Sequence, residues 1–89
     1  MPIVIATHKV KDFAVWKPYF DADAGRRKEM GISVLGEGRK ADDPNQVYFI
    51  WKVDDLAKFE AGAHDPALRA VMEKSGVIGD LSVTVLNEF

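Results

Sequence analysis

The segment NQVYFIWKV, residues 45–53, decides how the rest of the chain is read. Val47, Tyr48, Phe49, Ile50 and Trp51 leave no polar side for water. A strand of an antiparallel sheet with one solvated face alternates apolar and polar residues, and this one does not. Both of its faces need cover, and the flanking sequence says what kind of cover one chain can supply.

Upstream, PIVIATHKV (2–10) is β-rich and opens the domain. KDFAVWKPYFDADAGRRKEMG (11–31) follows, with Asp12 as N-cap and Phe13, Trp16, Phe20 and Ala24 recurring at helical spacing. Pro18 cannot donate to the carbonyl of Ala14 and costs ~3 kcal/mol inside a helix, so a break or kink is expected there. Helix then continues to about Met30, and Gly31 supplies the stop. ISVLGEGRKA (32–41) reads as a second strand weakened by Gly36 and Gly38, and DDPN (42–45) is turn chemistry.

Downstream, DDLAKFEAGA (54–63) reads as a short helix capped by Asp54, with Leu56 and Phe59 inward. HDPALRAVMEKSG (64–76) has Asp65 at N-cap, Pro66 at the first position, a buried stripe of Leu68, Val71 and Met72, and Gly76 past the end. VIGDLSVTVLNEF (77–89) closes with a fourth strand. The order β-α-β-β-α-α-β is an α+β, ferredoxin-like plan: a four-stranded antiparallel sheet with helices on one face.

Sorting strand residues by side gives an expected helix-facing set of Ile3, Ile5, Ile32, Val34, Val47, Phe49, Trp51, Leu81, Val83 and Val85. The other face then carries Val4, Ala6, His8, Leu35, Glu37, Arg39, Tyr48, Ile50, Lys52, Ser82, Thr84 and Leu86. Its apolar members are too many for open water, and the economical cover is a second copy of the same sheet about a two-fold axis. The expected partner is therefore the chain itself, in a homodimer through the sheet faces.

Bulk properties narrow the function. A chain of 89 residues is expected to be one domain, 1–89. There is no cysteine, which removes thiolate catalysis and cysteine metal sites. Twelve Lys and Arg against 14 Asp and Glu give a net charge of −2, with no basic excess for nucleic acid. No apolar stretch approaches the ~20 residues of a membrane span, and MPIVIATHKV lacks the pattern of a signal peptide. A cytoplasmic protein is expected, with no nucleic-acid or membrane partner.

The element order, together with DFAVWKPYFD (12–21), ADDPNQVYFIWKVDDLAKFEA (41–61) and HDPALRAVMEKSGV (64–77), resembles the dimeric α/β-barrel superfamily, and within it small proteins related to antibiotic biosynthesis monooxygenases. The resemblance implies two sheets facing each other in a dimeric α/β barrel. It also implies cofactor-independent oxidation or isomerisation of aromatic or polyketide-like small molecules. The alternative is a non-catalytic ligand-binding or stress-type dimer, because fold does not determine function. The haem-degrading branch of the superfamily uses an Asn on the first strand, a Trp, and a His on a later helix. Here Trp51 and His64 would take the last two roles, but the first strand offers Thr7 and His8, and His64 precedes a helix start. No cofactor is expected.

Candidate chemistry rests on few residues. His8 at the end of the first strand is the candidate general base, with an unperturbed pKa of ~6.5. His64 is a second candidate at a pocket mouth, and Tyr48 offers a hydroxyl to orient an oxygenated substrate. Trp16, Phe20 and Trp51 are the candidate ligand-binding walls, suited to stacking on a planar molecule. Two histidines without a third convergent ligand make no metal site. RRK (26–28) reads as a solvated helix end matched to the helix dipole rather than an anion site.

Overall fold

In a computed structural model describing residues 2–89, the elements run β1 (Pro2–Val10), α1 (Phe13–Ala22), α2 (Ala24–Glu29), β2 (Ile32–Lys40), β3 (Asp43–Val53), α3 (Leu56–Ala63), α4 (Pro66–Ser75) and β4 (Val77–Asn87). The four strands form one antiparallel sheet in the order β2-β3-β1-β4, with the helices on one face. This is the ferredoxin-like arrangement, with both helical segments split in two.

The puzzle of β3 resolves by face. Val47, Phe49, Trp51 and Val53 are buried beneath the helices. Tyr48 and Ile50 point to the opposite, uncovered face and are 39% and 40% exposed. Directly opposed residues of paired strands share a face. Val4 opposes Trp51, Ala6 opposes Phe49 and His8 opposes Val47, so these three β1 residues lie under the helices. The expected parity of β1 is thus reversed. Ile3 and Ile5 belong to the uncovered face with Ile50 and Lys52, and Val4, Ala6 and His8 are buried on the helix side.

A second correction falls on β2. The register slips between Val34 and Gly36, so Glu37 opposes Phe49 and Arg39 opposes Val47. A bulge inserts one unpaired residue and exchanges the faces beyond it. Glu37 and Arg39 therefore reach the helix side, where Arg39 lies 4.2 Å from the centroid of the Phe13 ring. In β4 the parity is as expected, with Val83 opposite Ala6 and Val85 opposite Val4. Both are nonetheless about 40% exposed, because α4 stands off this edge strand.

Helix α1 continues unbroken past Pro18, and the break comes at Asp23 instead. Pro18 forfeits one bond to Ala14 on the exposed side, while Trp16 and Phe20, a turn apart, anchor the same helix to the sheet. Asp12 and Asp65 cap their helices as expected, accepting from Ala14 N at 2.9 Å and Ala67 N at 2.8 Å. The cap of α3 is Asp55, which accepts from Lys58 N, rather than Asp54. On α4 the inward side is Leu68, Val71, Met72 and the buried Ser75, all lining a cavity, with Val71 still 41% exposed. Gly76 ends α4 in the left-handed region at φ 91°, the conformation for which glycine is favoured at that position.

Candidate functional site

Between the helices and the central strands lies a cavity of about 90 Å³. Its inner wall is Ala6 and His8 of β1 with Phe49 and Trp51 of β3. Its sides are Trp16 and Phe20 of α1, Phe59 of α3, and Leu68 and Met72 of α4. The walls are almost wholly apolar because each element turns its amphipathic face to the same place.

His8 is the polar group on the sheet wall. It is 7% exposed, and neither Nδ1 nor Nε2 has a hydrogen-bond partner. Trp16 and Phe49 both meet its ring at right angles, at centroid separations of 5.6 and 5.4 Å. Burial among aromatic rings disfavours the imidazolium and pushes the pKa of His8 down to about 4. His8 is therefore neutral at pH 7, carrying one N–H donor and one lone pair. A buried polar group without a partner costs about 1–3 kcal/mol, which a ligand hydroxyl or water would relieve. Nearby, the buried Ser75 hydroxyl donates to Met72 O at 2.9 Å and keeps lone pairs free for a donor.

The aromatic walls form a continuous run. Trp16 stacks on Phe20 at 4.9 Å, Phe20 on Phe49 at 5.3 Å, and Phe49 leans on Trp51 at 4.9 Å. The Trp51 indole is fixed from the other side, donating Nε1–H to Glu37 Oε2 at 2.9 Å. That bond exists because the β2 bulge turns Glu37 inward.

At the α2 end the cavity is edged by Tyr19, Asp23, Arg26, Arg27 and Met30. Asp23 holds Arg26 through Nε and Nη2, and Arg26 Nη1 is left on Met30 Sδ at 2.9 Å. Arg27 donates to Phe20 O at 2.8 Å and lies over the Phe20 ring at 3.7 Å. Burial lowers the Arg27 pKa, while Asp23 and Glu37 pull the other way. The arginines of RRK are thus half-buried parts of the cavity edge, and only Lys28 fits the solvated reading.

Of the candidates named from the sequence, His8, Trp16, Phe20 and Trp51 come together around the one cavity. Tyr48 lies across the sheet, and His64 is the C-cap of α3. His64 edges an adjoining, wider cleft of about 650 Å³ between α3, α4 and β4, floored by Leu81, Val83 and Val85 and sharing Phe59 and Met72 with the first. The charged and thioether edge residues that sequence reasoning missed are Asp23, Arg26, Arg27 and Met30. The signal for Asp23, Arg27 and Met30 was the spacing 16, 20, 23, 27, 30, which continues one helical face past the break. Among the described residues no three His, Asp or Glu side chains are grouped to hold a metal ion, and no helix is long and apolar enough to cross a membrane.

No protein-family model matches the sequence, and no curated protein matches it. Solved structures do match its fold. A crystal structure of an antibiotic biosynthesis monooxygenase superposes with a TM-score of 0.73 at 18% identity, over 100% of this chain and 99% of that one. A protein from Bordetella bronchiseptica, provisionally named an antibiotic biosynthesis monooxygenase, gives 0.78 at 8% identity, over 99% and 96% of the two chains. An uncharacterized NIPSNAP domain protein from Burkholderia xenovorans gives 0.67 at 18% identity, over 100% and 95%.

Proposed function

We propose, from the premise that this chain has the fold of antibiotic biosynthesis monooxygenase-like structures, that it binds a small planar hydroxylated aromatic in the helix–sheet cavity and supports its oxidation by dioxygen without a bound cofactor. The observation that carries this is His8: a neutral imidazole with both nitrogens free, held at the wall of an aromatic-lined cavity. Its donor and lone pair are the complement of a ligand O–H.

The cavity volume sets the ligand's size. A protein cavity of about 150 Å³ accepts benzene. At about 90 Å³ this one is smaller, so a single ring would have to extend out over the α2 edge, and a fused polyketide skeleton is too large. For a phenol the chemistry balances as phenol plus dioxygen giving quinone plus water. His8 takes the hydroxyl proton, a ring carbon of the phenolate forms the C–O bond as dioxygen is reduced, and the ring hydroperoxide loses water. Trp16 and Trp51 flank the ring, and the apolar walls leave it few polar neighbours besides His8.

A second reading is binding without turnover. The low basicity of His8 favours it, since a base with a pKa of about 4 takes a phenol proton reluctantly. Oxygen uptake on adding one-ring phenols and quinols, with quinone formed in equal amount, tests the choice. Uptake that His8→Gln abolishes establishes the oxygenase. Saturable binding with no uptake establishes the binding protein.

The same proposal includes a homodimer through the uncovered sheet face. Ile3, Ile5, Tyr48, Ile50 and Leu86 make that face apolar, and a second copy of the same sheet about a two-fold axis is its economical cover.

A further inference from the structure

Arg26 occupies an unusual position. Two of its nitrogens are committed to Asp23, while Nη1 points to the thioether of Met30, a weak acceptor for a cationic donor. It stands at the edge of the cavity whose wall carries His8, with the aromatic run between them. Among the cavity-lining residues, Arg26 and Arg27 face the single carboxylate of Asp23. Arg27 is also answered by Glu37 and Asp21, and Asp21 is itself bridged to Lys17 at 2.6 Å. Arg26 is thus the guanidinium with a donor still poorly matched, and that donor is at the mouth.

We propose that the cavity selects a one-ring aromatic acid bearing a hydroxyl: the hydroxyl at His8, the ring against the wall of Trp16, Phe20 and Trp51, and the carboxylate on Arg26 Nη1 in place of Met30. This rests on the cavity being a ligand site and adds the charge of the ligand. A carboxylate supplies a charge-assisted partner to a half-buried guanidinium, roughly twice as strong as a neutral one. Met30 is able to yield, since its unbranched thioether side chain has several rotamers. The His8 end offers no cation at pH 7, so an acid is oriented with its carboxylate outward.

Three probes separate the claims by tryptophan-fluorescence titration at pH 7: phenol, benzoate and 4-hydroxybenzoate, on the native protein and on Arg26→Gln. The expected result is 4-hydroxybenzoate bound at least tenfold more tightly than phenol, with that advantage lost in Arg26→Gln while phenol binding is kept. Retained phenol binding also shows that the variant is folded. Phenol bound as tightly as 4-hydroxybenzoate overturns the acid preference and leaves the cavity reading standing. An advantage that survives in Arg26→Gln overturns the role of Arg26. No binding of any probe removes the cavity reading and this inference together.

Discussion

The His8 and Trp16 rings meet at right angles with their centroids 5.6 Å apart, and the imidazole makes no hydrogen bond. The arrangement makes folding sensitive to acid. The folded-state pKa of His8 is depressed to about 4, against ~6.5 unfolded, so the unfolded chain binds the extra proton between these values. Stability holds its full value above pH 6.5 and falls as pH drops toward 4, by about 3 kcal/mol in all relative to neutral pH. His8→Leu removes the unpartnered polar group, so it raises stability at pH 7 by about 1 kcal/mol or more and flattens stability between pH 6.5 and 4. Urea unfolding at several pH values measures both. A destabilised variant with the native slope contradicts the account.

Pro18 sits exposed in the middle of α1 and leaves the carbonyl of Ala14 without its helical donor. Pro18→Ala restores that bond without touching the packed face. The melting temperature is expected to rise, by an amount equivalent to about 1–3 kcal/mol less the extra entropy of the unfolded chain. A fall would mean that the proline ring itself contributes packing.

Gly31 joins α2 to β2 at φ 75°, and its carbonyl accepts from Asp54 N. A Cβ there would come within 2.7 Å of Asp54 Oδ2 and 2.9 Å of Asp54 Cβ. Gly31→Ala combines left-handed strain with this clash and is expected to cost about 2 kcal/mol or more. Gly25→Ala, where a Cβ meets nothing within 4 Å, is the control and should be neutral or stabilising. Equal effects at the two glycines would refute this reading of Gly31.

Ile50 lies on the uncovered sheet face beside Ile5. If a second copy covers that face, Ile50→Lys places two like charges near a two-fold axis and drives the chain to monomer, while its helix side and His8 are unaffected. Light scattering across a wide concentration range reads the result. A native chain that stays at the 9.9 kDa monomer mass throughout rules out the homodimer.

The fold was legible because its markers are local. Asp65, Pro66 and Gly76 punctuate α4, and the unbroken apolar run of β3 demands cover on both faces. The parity of β1 was not, because PIVIATHKV is apolar on both sides and no local rule ranks Ile3 and Ile5 against Val4 and Ala6. Strand pairing shows it: Val4 and Ala6 lie opposite Trp51 and Phe49, on the face that the helices cover. The inward turn of Glu37 depends on a bulge whose effect on facing is invisible until strands are paired. His8, Trp16, Phe20 and Trp51 were read as candidates from residue type, and long-range contact made them one group. Arg26 and Arg27 were hidden by a helix break that leaves their face in line with Trp16 and Phe20.

The most direct test of the central claim is a nitrogen NMR titration of the His8 imidazole from pH 3 to 8, with and without phenol. The expected result is a neutral ring at pH 7, proton uptake only near pH 4, and a shift of the His8 nitrogens when phenol is added at neutral pH. A ring that titrates near ~6.5 and does not respond to phenol would contradict it, since His8 would then be neither buried unpartnered nor part of a ligand site.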